Sequence, residues 1–168
     1  MKDYLAVRIY NIVNKYDINN NTVHSIIRNY IDFNKKLLYS GRRIDFNGLV
    51  YIEPDVYTTK HRATMGYICK YIASDLGLPY YTVLTVIREY LLGLKDSLMN
   101  GREAEIRGIV TLHPIQYENV YKVHSAISIA IREQLKQKND FNINSVRVHT
   151  YKSLKKELES IRLWKKYY

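Results

Sequence analysis

TVLTVIREYLLGLKDSLMNGREAEIRGIVTLHP, residues Thr82–Pro114, has a counterpart sixty residues upstream, TVHSIIRNYIDFNKKLLYSGRRIDFNGLVYIEP, residues Thr22–Pro54. The identical pairs are Thr22/Thr82, Val23/Val83, Ile27/Ile87, Arg28/Arg88, Tyr30/Tyr90, Lys35/Lys95, Leu38/Leu98, Gly41/Gly101, Arg42/Arg102, Gly48/Gly108, Val50/Val110 and Pro54/Pro114. Ile26/Val86, Ile31/Leu91, Leu49/Ile109 and Ile52/Leu112 are conservative pairs, so agreement concentrates on apolar and glycine positions that shape a fold. A tandem repeat of this kind sets the architecture before any other feature is read.

Within the first copy Val23, Ile26, Ile27, Tyr30, Ile31, Leu37 and Leu38 keep the 3.6-residue period, which predicts a long helix. Upstream, Leu5, Ile9, Ile12, Val13 and Tyr16 predict a shorter helix over residues 3–16, and Asp17–Asn21 predicts the turn between them, with Asn19 or a neighbour as a cap. Gly41 ends the long helix, and Arg42–Phe46, Asn47-Gly48 and Leu49–Ile52 read as a hairpin closed by Pro54. The second copy repeats the order with Ala63–Leu76, the turn Gly77–Tyr80, Tyr81–Met99, and strands Glu103–Ile106 and Ile109–Leu112 about Arg107-Gly108, closed by His113-Pro114. A third, partial copy rests on one phrase: Lys138–Val146 matches Lys15–Val23 in Lys, Asp, two Asn and Val. It predicts helices over Val120–Lys138 and from Ser145 to about Trp164, with no hairpin to follow. The linkers, 55–61 and 115–119, are short. The expected fold is therefore α+β and predominantly helical: helix-helix-strand-strand units over 1–60 and 61–119 and a basic helical half-unit over 120–168, packed as one body.

Composition fits a folded chain: of 168 residues, 46% are apolar and 25% charged. No apolar run approaches the roughly 20 residues of a membrane span. The N-terminus lacks the apolar core of a signal peptide, and the single Cys69 rules out an internal disulfide, which together point to a cytoplasmic setting. The formal charge of +10 favours a polyanionic partner. It is unevenly spread, with 9 basic against 6 acidic residues over 1–60, 6 against 6 over 61–121, and 11 against 4 over 122–168.

The order helix, turn, longer helix, glycine, strand, glycine turn, strand resembles the N-terminal part of the HU/IHF family of bacterial histone-like, DNA-bending proteins. The likeness covers about 50 residues per unit and is best over Ile68–Leu78 and Leu98–Leu112, where the two glycines fall at the offsets of that family's hairpin. The resemblance implies a dimer-like association, which a tandem chain can satisfy internally as a pseudo-dimer. It also implies departures. Family members follow the hairpin with long β-arms that insert an apolar wedge into the minor groove. With short linkers after Pro54 and Pro114, neither unit is expected to carry an arm, and binding is expected to bend DNA little.

No catalytic residues, metal site or cofactor are expected. His24, His61, His113, His124 and His149 are scattered, and no glycine-rich phosphate loop follows a strand. Cys69 reads as a small core residue. Glu103 and Glu105 share one strand face, where they would repel a phosphate backbone. The candidate nucleic-acid contacts are the hairpin residues Arg42, Arg43, Arg102 and Arg107, and the cluster Lys152, Lys155, Lys156, Arg162, Lys165 and Lys166. That cluster is interleaved with Tyr151, Trp164, Tyr167 and Tyr168, and Leu154, Leu158 and Ile161 supply the opposing apolar stripe. Each cation could equally be a solvated surface charge.

The expected function is non-enzymatic, sequence-tolerant binding of double-stranded DNA as an HU-like accessory protein, without a small-molecule substrate or a membrane. The alternatives are a protein-interaction module, for instance a viral factor engaging a host nucleoid or transcription protein, and a structural component of an assembly. The nucleoid, or the host cytoplasm for a viral protein, is the expected location.

Overall fold

The structure, a computed structural model, describes residues 4–56, 63–117, 120–137 and 143–167. The first unit opens with helix α1 (Tyr4–Tyr16); Asp17, at φ 52°, then takes the left-handed turn that the Asx-rich cluster favours. Asn19 caps helix α2 (Asn20–Tyr39), its Oδ1 accepting from the Asn21 N–H at 2.7 Å. Gly41, at φ 81°, ends α2, and β1 (Ile44–Phe46) and β2 (Val50–Pro54) form the hairpin about Gly48. The second unit repeats the series as α3 (Met65–Leu76), α4 (Tyr80–Met99), β3 (Ala104–Ile106) and β4 (Val110–Tyr117). Here Thr64 is the cap of α3, its Oγ1 accepting from the Tyr67 N–H.

Three expectations fail beyond this point. Strand β4 runs Val110–Tyr117, straight through Pro114, which lies opposite Val123. Beyond Leu112 the strand has no β3 partner, so one edge is open and a residue without an N–H is tolerated there. Residues 120–127, expected in a helix, form β5 (Val120–Ile127), and only then does Ser128 cap a short α5 (Ile129–Lys136). Likewise residues 146–150 form β6 (Val146–Thr150) ahead of α6 (Lys152–Tyr167), so the expected pair of C-terminal helices is two strand-helix segments. The physical reason is the same for both: β2 and β4 each present a bare ladder edge, and the β-branched Val146, Val148 and Thr150, or Val123 and Ile127, satisfy it.

The result is a mixed α+β fold with two antiparallel three-stranded sheets, ordered β1-β2-β6 and β3-β4-β5. Each sheet is built by α-α-β-β-β-α. The second set is continuous, whereas the first is interrupted after β2 and completed by β6 and α6. The registers correspond: Thr150 faces Val50 as Ile127 faces Val110, and the Tyr151 and Ser128 N–H groups donate to Leu49 and Ile109 carbonyls. Helix positions follow suit, since Ile131 in α5 and Leu154 in α6 are both fully buried.

One apolar core runs through both units, from Ile12, Tyr30, Phe46 and Ile52 to Ile72, Ile87, Leu98 and Leu112. Helix α1 packs on α4 rather than chiefly on its own α2. Gly93 makes that approach possible, because a Cβ there would lie 3.0 Å from Arg8 Cγ. Arg8 fixes the crossing by donating to Asp96 at 3.0 Å through Nε and to Glu89 at 2.8 Å. The corresponding position in α2 is Phe33, in tilted ring contact with Tyr71 and Tyr67 of α3, so the two helix pairs are filled differently.

Candidate nucleic-acid interface

Alternation along the strands decides what each sheet shows to solvent. In the first sheet Val50, Ile52 and Pro54 point inward, leaving Tyr51 and Glu53 outward beside Asp45, His149 and Arg147. Arg43 lies over this face, its guanidinium carbon 3.7 Å from the centre of the Tyr51 ring and its nitrogens 3.5 Å from Glu53 and 3.7 Å from Asp45. The His149 ring stacks on Tyr51 at 4.7 Å and 14°, and its Nε2 is 3.2 Å from Glu53. The Tyr151 hydroxyl donates to Asp45; burial first, then that carboxylate, pushes its pKa up. Arg43 is thus held by its own sheet, and its charge is partly compensated.

Beside this face an open groove of about 740 Å3 lies where β5 and β6 approach each other. Arg43, Tyr51, His149, Tyr151, Lys152 and Lys155 line it, and among the described residues no carboxylate does. Lys152, Lys155 and Lys156 are exposed on α6, while Leu154 and Leu158 are buried, as the amphipathic pattern requires. Arg162, Lys165 and Lys166 fall on the last turns of α6, outside the residues whose side chains are described.

The remaining expected contacts are elsewhere. Arg42 and Arg102 are half-buried at the starts of the two hairpins, each donating its N–H to the preceding helix, at Leu37 and Ser97. Arg107 is exposed on the β3–β4 turn and lines a separate pocket with Arg28 and Lys35 of α2. Arg28 and Lys35 are not among the contacts expected from the sequence. Their spacing of seven, continuing from His24, was the available signal, since it places all three on one helix face.

The second sheet presents a different surface. Glu105 is exposed, Glu103 accepts from or pairs with His113 Nδ1 at 2.8 Å, and His113 faces His124 across the β4–β5 ladder. Cys69 is fully buried, and desolvation pushes its thiol up to about 11. Among the described residues no group of three or more His, Cys, Asp or Glu side chains is placed to hold a metal ion, and no helix is long and apolar enough to cross a membrane.

No family model, curated protein or solved structure matches this chain.

Proposed function

We propose that the chain is a non-enzymatic, sequence-tolerant binder of double-stranded DNA, an HU/IHF-like pseudo-dimer in one polypeptide. The observation that carries this reading is the basic groove: Lys152 and Lys155 stand beside Arg43 and the Tyr51–His149 stack, and among the described lining residues none is acidic, Glu53 and Asp45 being engaged with Arg43. Cations interleaved with aromatic rings suit a phosphate backbone and its sugars. The net charge of +10 supplies the attraction at longer range.

The two matching α-α-β-β-β-α sets support the pseudo-dimer. The β4–β5 ribbon lies directly after the hairpin, where the HU/IHF family carries its arms. Five residues of each strand, 113–117 and 120–124, extend past the end of β3. At about 3.4 Å per residue the ribbon reaches about 17 Å, too short to wrap a duplex but long enough to brace one. Bending should therefore be slight.

The test is fluorescence anisotropy of a labelled random-sequence duplex at several salt concentrations. Replacing Lys152, Lys155 and Lys156 by Gln should lower the slope of log K against log salt by about 2.7, at about 0.9 per phosphate contact. Replacing all three by Glu should abolish binding while the circular dichroism is unchanged. Absence of wild-type binding at low salt overturns the reading.

A second reading, a protein-interaction surface, is favoured by the exposed Tyr67 and Tyr71 packed about Phe33. It predicts a partner whose capture is lost in Tyr67→Ala and is indifferent to the three lysine substitutions.

A further inference from the structure

We infer that the pocket between α2 and the β3–β4 turn is an oxyanion site that takes a phosphate group. It has a volume of about 400 Å3, and His24, Arg28, Asp32 and Lys35 face Arg107 and Gly108 across it. His24, Arg28 and Lys35 recur at spacings of four and seven and so share one face of α2. None of Arg28, Lys35 and Arg107 makes an ion pair with a described residue, in contrast to Arg8, Arg43 and Lys95. Three permanent cations against one carboxylate leave a surplus close to the charge of a phosphate monoester, about −1.5 to −2 at neutral pH.

Comparison with the other copy separates what the fold needs from what this pocket adds. By the sixty-residue offset His24 corresponds to Leu84, Asp32 to Leu92 and Arg107 to Asn47. Lys35 corresponds to Lys95, whose amino group is 2.7 Å from Glu157. Counting from the matched residues Thr150 and Ile127, Glu157 corresponds to Gln134, which cannot neutralise Lys35. The same lysine is thus tied down in one copy and released in the other, beside two added cationic or titratable side chains. Folding alone gives no reason for that difference, because the second copy packs without it.

The turn is shaped for close approach. A Cβ on Gly108 would lie 2.6 Å from Lys35 Nζ, so glycine leaves room for the amino group against the turn where a side chain would push it aside, and the Tyr90 hydroxyl hydrogen-bonds the Arg107 backbone. The phosphate can belong to a duplex backbone or to a small phosphate-bearing molecule; the chemistry at the pocket is the same.

The site stands apart from the duplex-binding reading, and two arms keep them distinguishable. In the first, the full chain labelled with 15N is titrated with inorganic phosphate, and with sodium chloride at equal ionic strength. Saturable shifts of the Arg107 and Gly108 amides with phosphate alone are expected, and Arg28→Gln and Lys35→Gln should each weaken binding about tenfold, one charge-assisted hydrogen bond. Equal shifts with chloride, or unchanged affinity in both variants, overturn the inference. Arg28 is exposed and Lys35 half-buried, both outside the apolar core, and retained spectral dispersion confirms folding. In the second arm the double variant is tested on the duplex. A salt slope lowered by about 1.8 assigns the phosphate to the duplex backbone. An unchanged slope with a positive first arm assigns it to a small molecule. If the wild type binds phosphate but no duplex, the duplex reading fails and this site remains.

Discussion

Gly93→Ala tests the close crossing of α1 and α4, because two opposing effects of known size meet there. Alanine in place of glycine within a helix stabilises by about 1 kcal/mol. Against this, the new methyl would stand 3.0 Å from Arg8 Cγ and 3.3 Å from both Arg8 Cβ and Leu5 Cδ1. Arg8 cannot swing away freely, since Asp96 and Glu89, both on α4, hold its guanidinium. Relief must come from moving α1, which carries the fully buried Ile12 into the core. Overpacking of this kind costs about 1–3 kcal/mol, so the net effect should be a loss of about 1 kcal/mol. In an Arg8→Ala background the closest contact is gone and the propensity gain should dominate, which reverses the sign. The measurement is urea unfolding of the four chains, where 1 kcal/mol moves the midpoint by about 0.5 M for a slope of about 2 kcal/mol/M. Stabilisation by Gly93→Ala in the wild type, or the same effect in both backgrounds, would refute the argument that α1 lies this close.

Alkaline pH should unfold the protein. Desolvation raises Cys69 from 9.0 to about 11 and lifts Tyr30 and Tyr90 above the ordinary 10.0, so all three bind their protons more tightly in the folded state. Their contribution is fully present below about pH 9 and is lost as pH rises through the raised values, at up to about 1.4 kcal/mol per pH unit for each group ionised only in the unfolded chain. A urea midpoint that stays flat to pH 11 contradicts this, and Cys69→Ala should delay the onset towards pH 10. At pH 8 a thiol reagent should label Cys69 slowly in the native protein and at once in urea, because the thiol is buried and protonated. Gly48→Ala and Gly108→Ala impose the same left-handed strain, at φ 79° and 75°, and should each destabilise by about 1–2 kcal/mol. Only the second also displaces Lys35, so only it should weaken the phosphate response.

The elements that the sequence made legible are those written twice. Helices α2 and α4 and both hairpins follow from glycine and apolar positions that recur at one offset, α1 follows from its own apolar period, and Asn19 and Gly77 cap where their chemistry predicts. The segments after Pro114 depart from the expected helices for a physical reason. The match between Lys15–Val23 and Lys138–Val146 is rich in Asn and Asp, which specify a turn and not the element that follows it. The true correspondence, 123–136 with 146–159, retains only Val123/Val146 and Leu135/Leu158 as identities. Those positions point into the core, and the intervening outward ones have diverged to Lys152, Lys155 and Lys156 in one copy and Ile129, Arg132 and Glu133 in the other. The site was legible where it is sequential, on α6, and illegible where strand pairing assembles it, as with Tyr51 and His149.

The nested order ties the basic segment to the closure of the first unit. The second unit can complete its sheet from continuous chain, whereas β2 keeps an unpaired edge until β6 arrives, with Ile52 facing Val148 across nearly a hundred residues. An open edge beside the outward Tyr51 face is a pairing hazard, and long-range strand closure is slow, so the first unit should be the later one to form. The strand that closes it leads directly into α6, whose Leu154 and Leu158 seal the core from inside while Lys152, Lys155 and Lys156 face solvent. Deleting the C-terminal segment would therefore remove the cations and unzip the sheet together, and loss of binding in such a truncation could not be assigned to charge. Substituting the three lysines changes the charge alone. Their role is decided only by that perturbation, because the fold has placed structural and ionic functions on opposite faces of one helix.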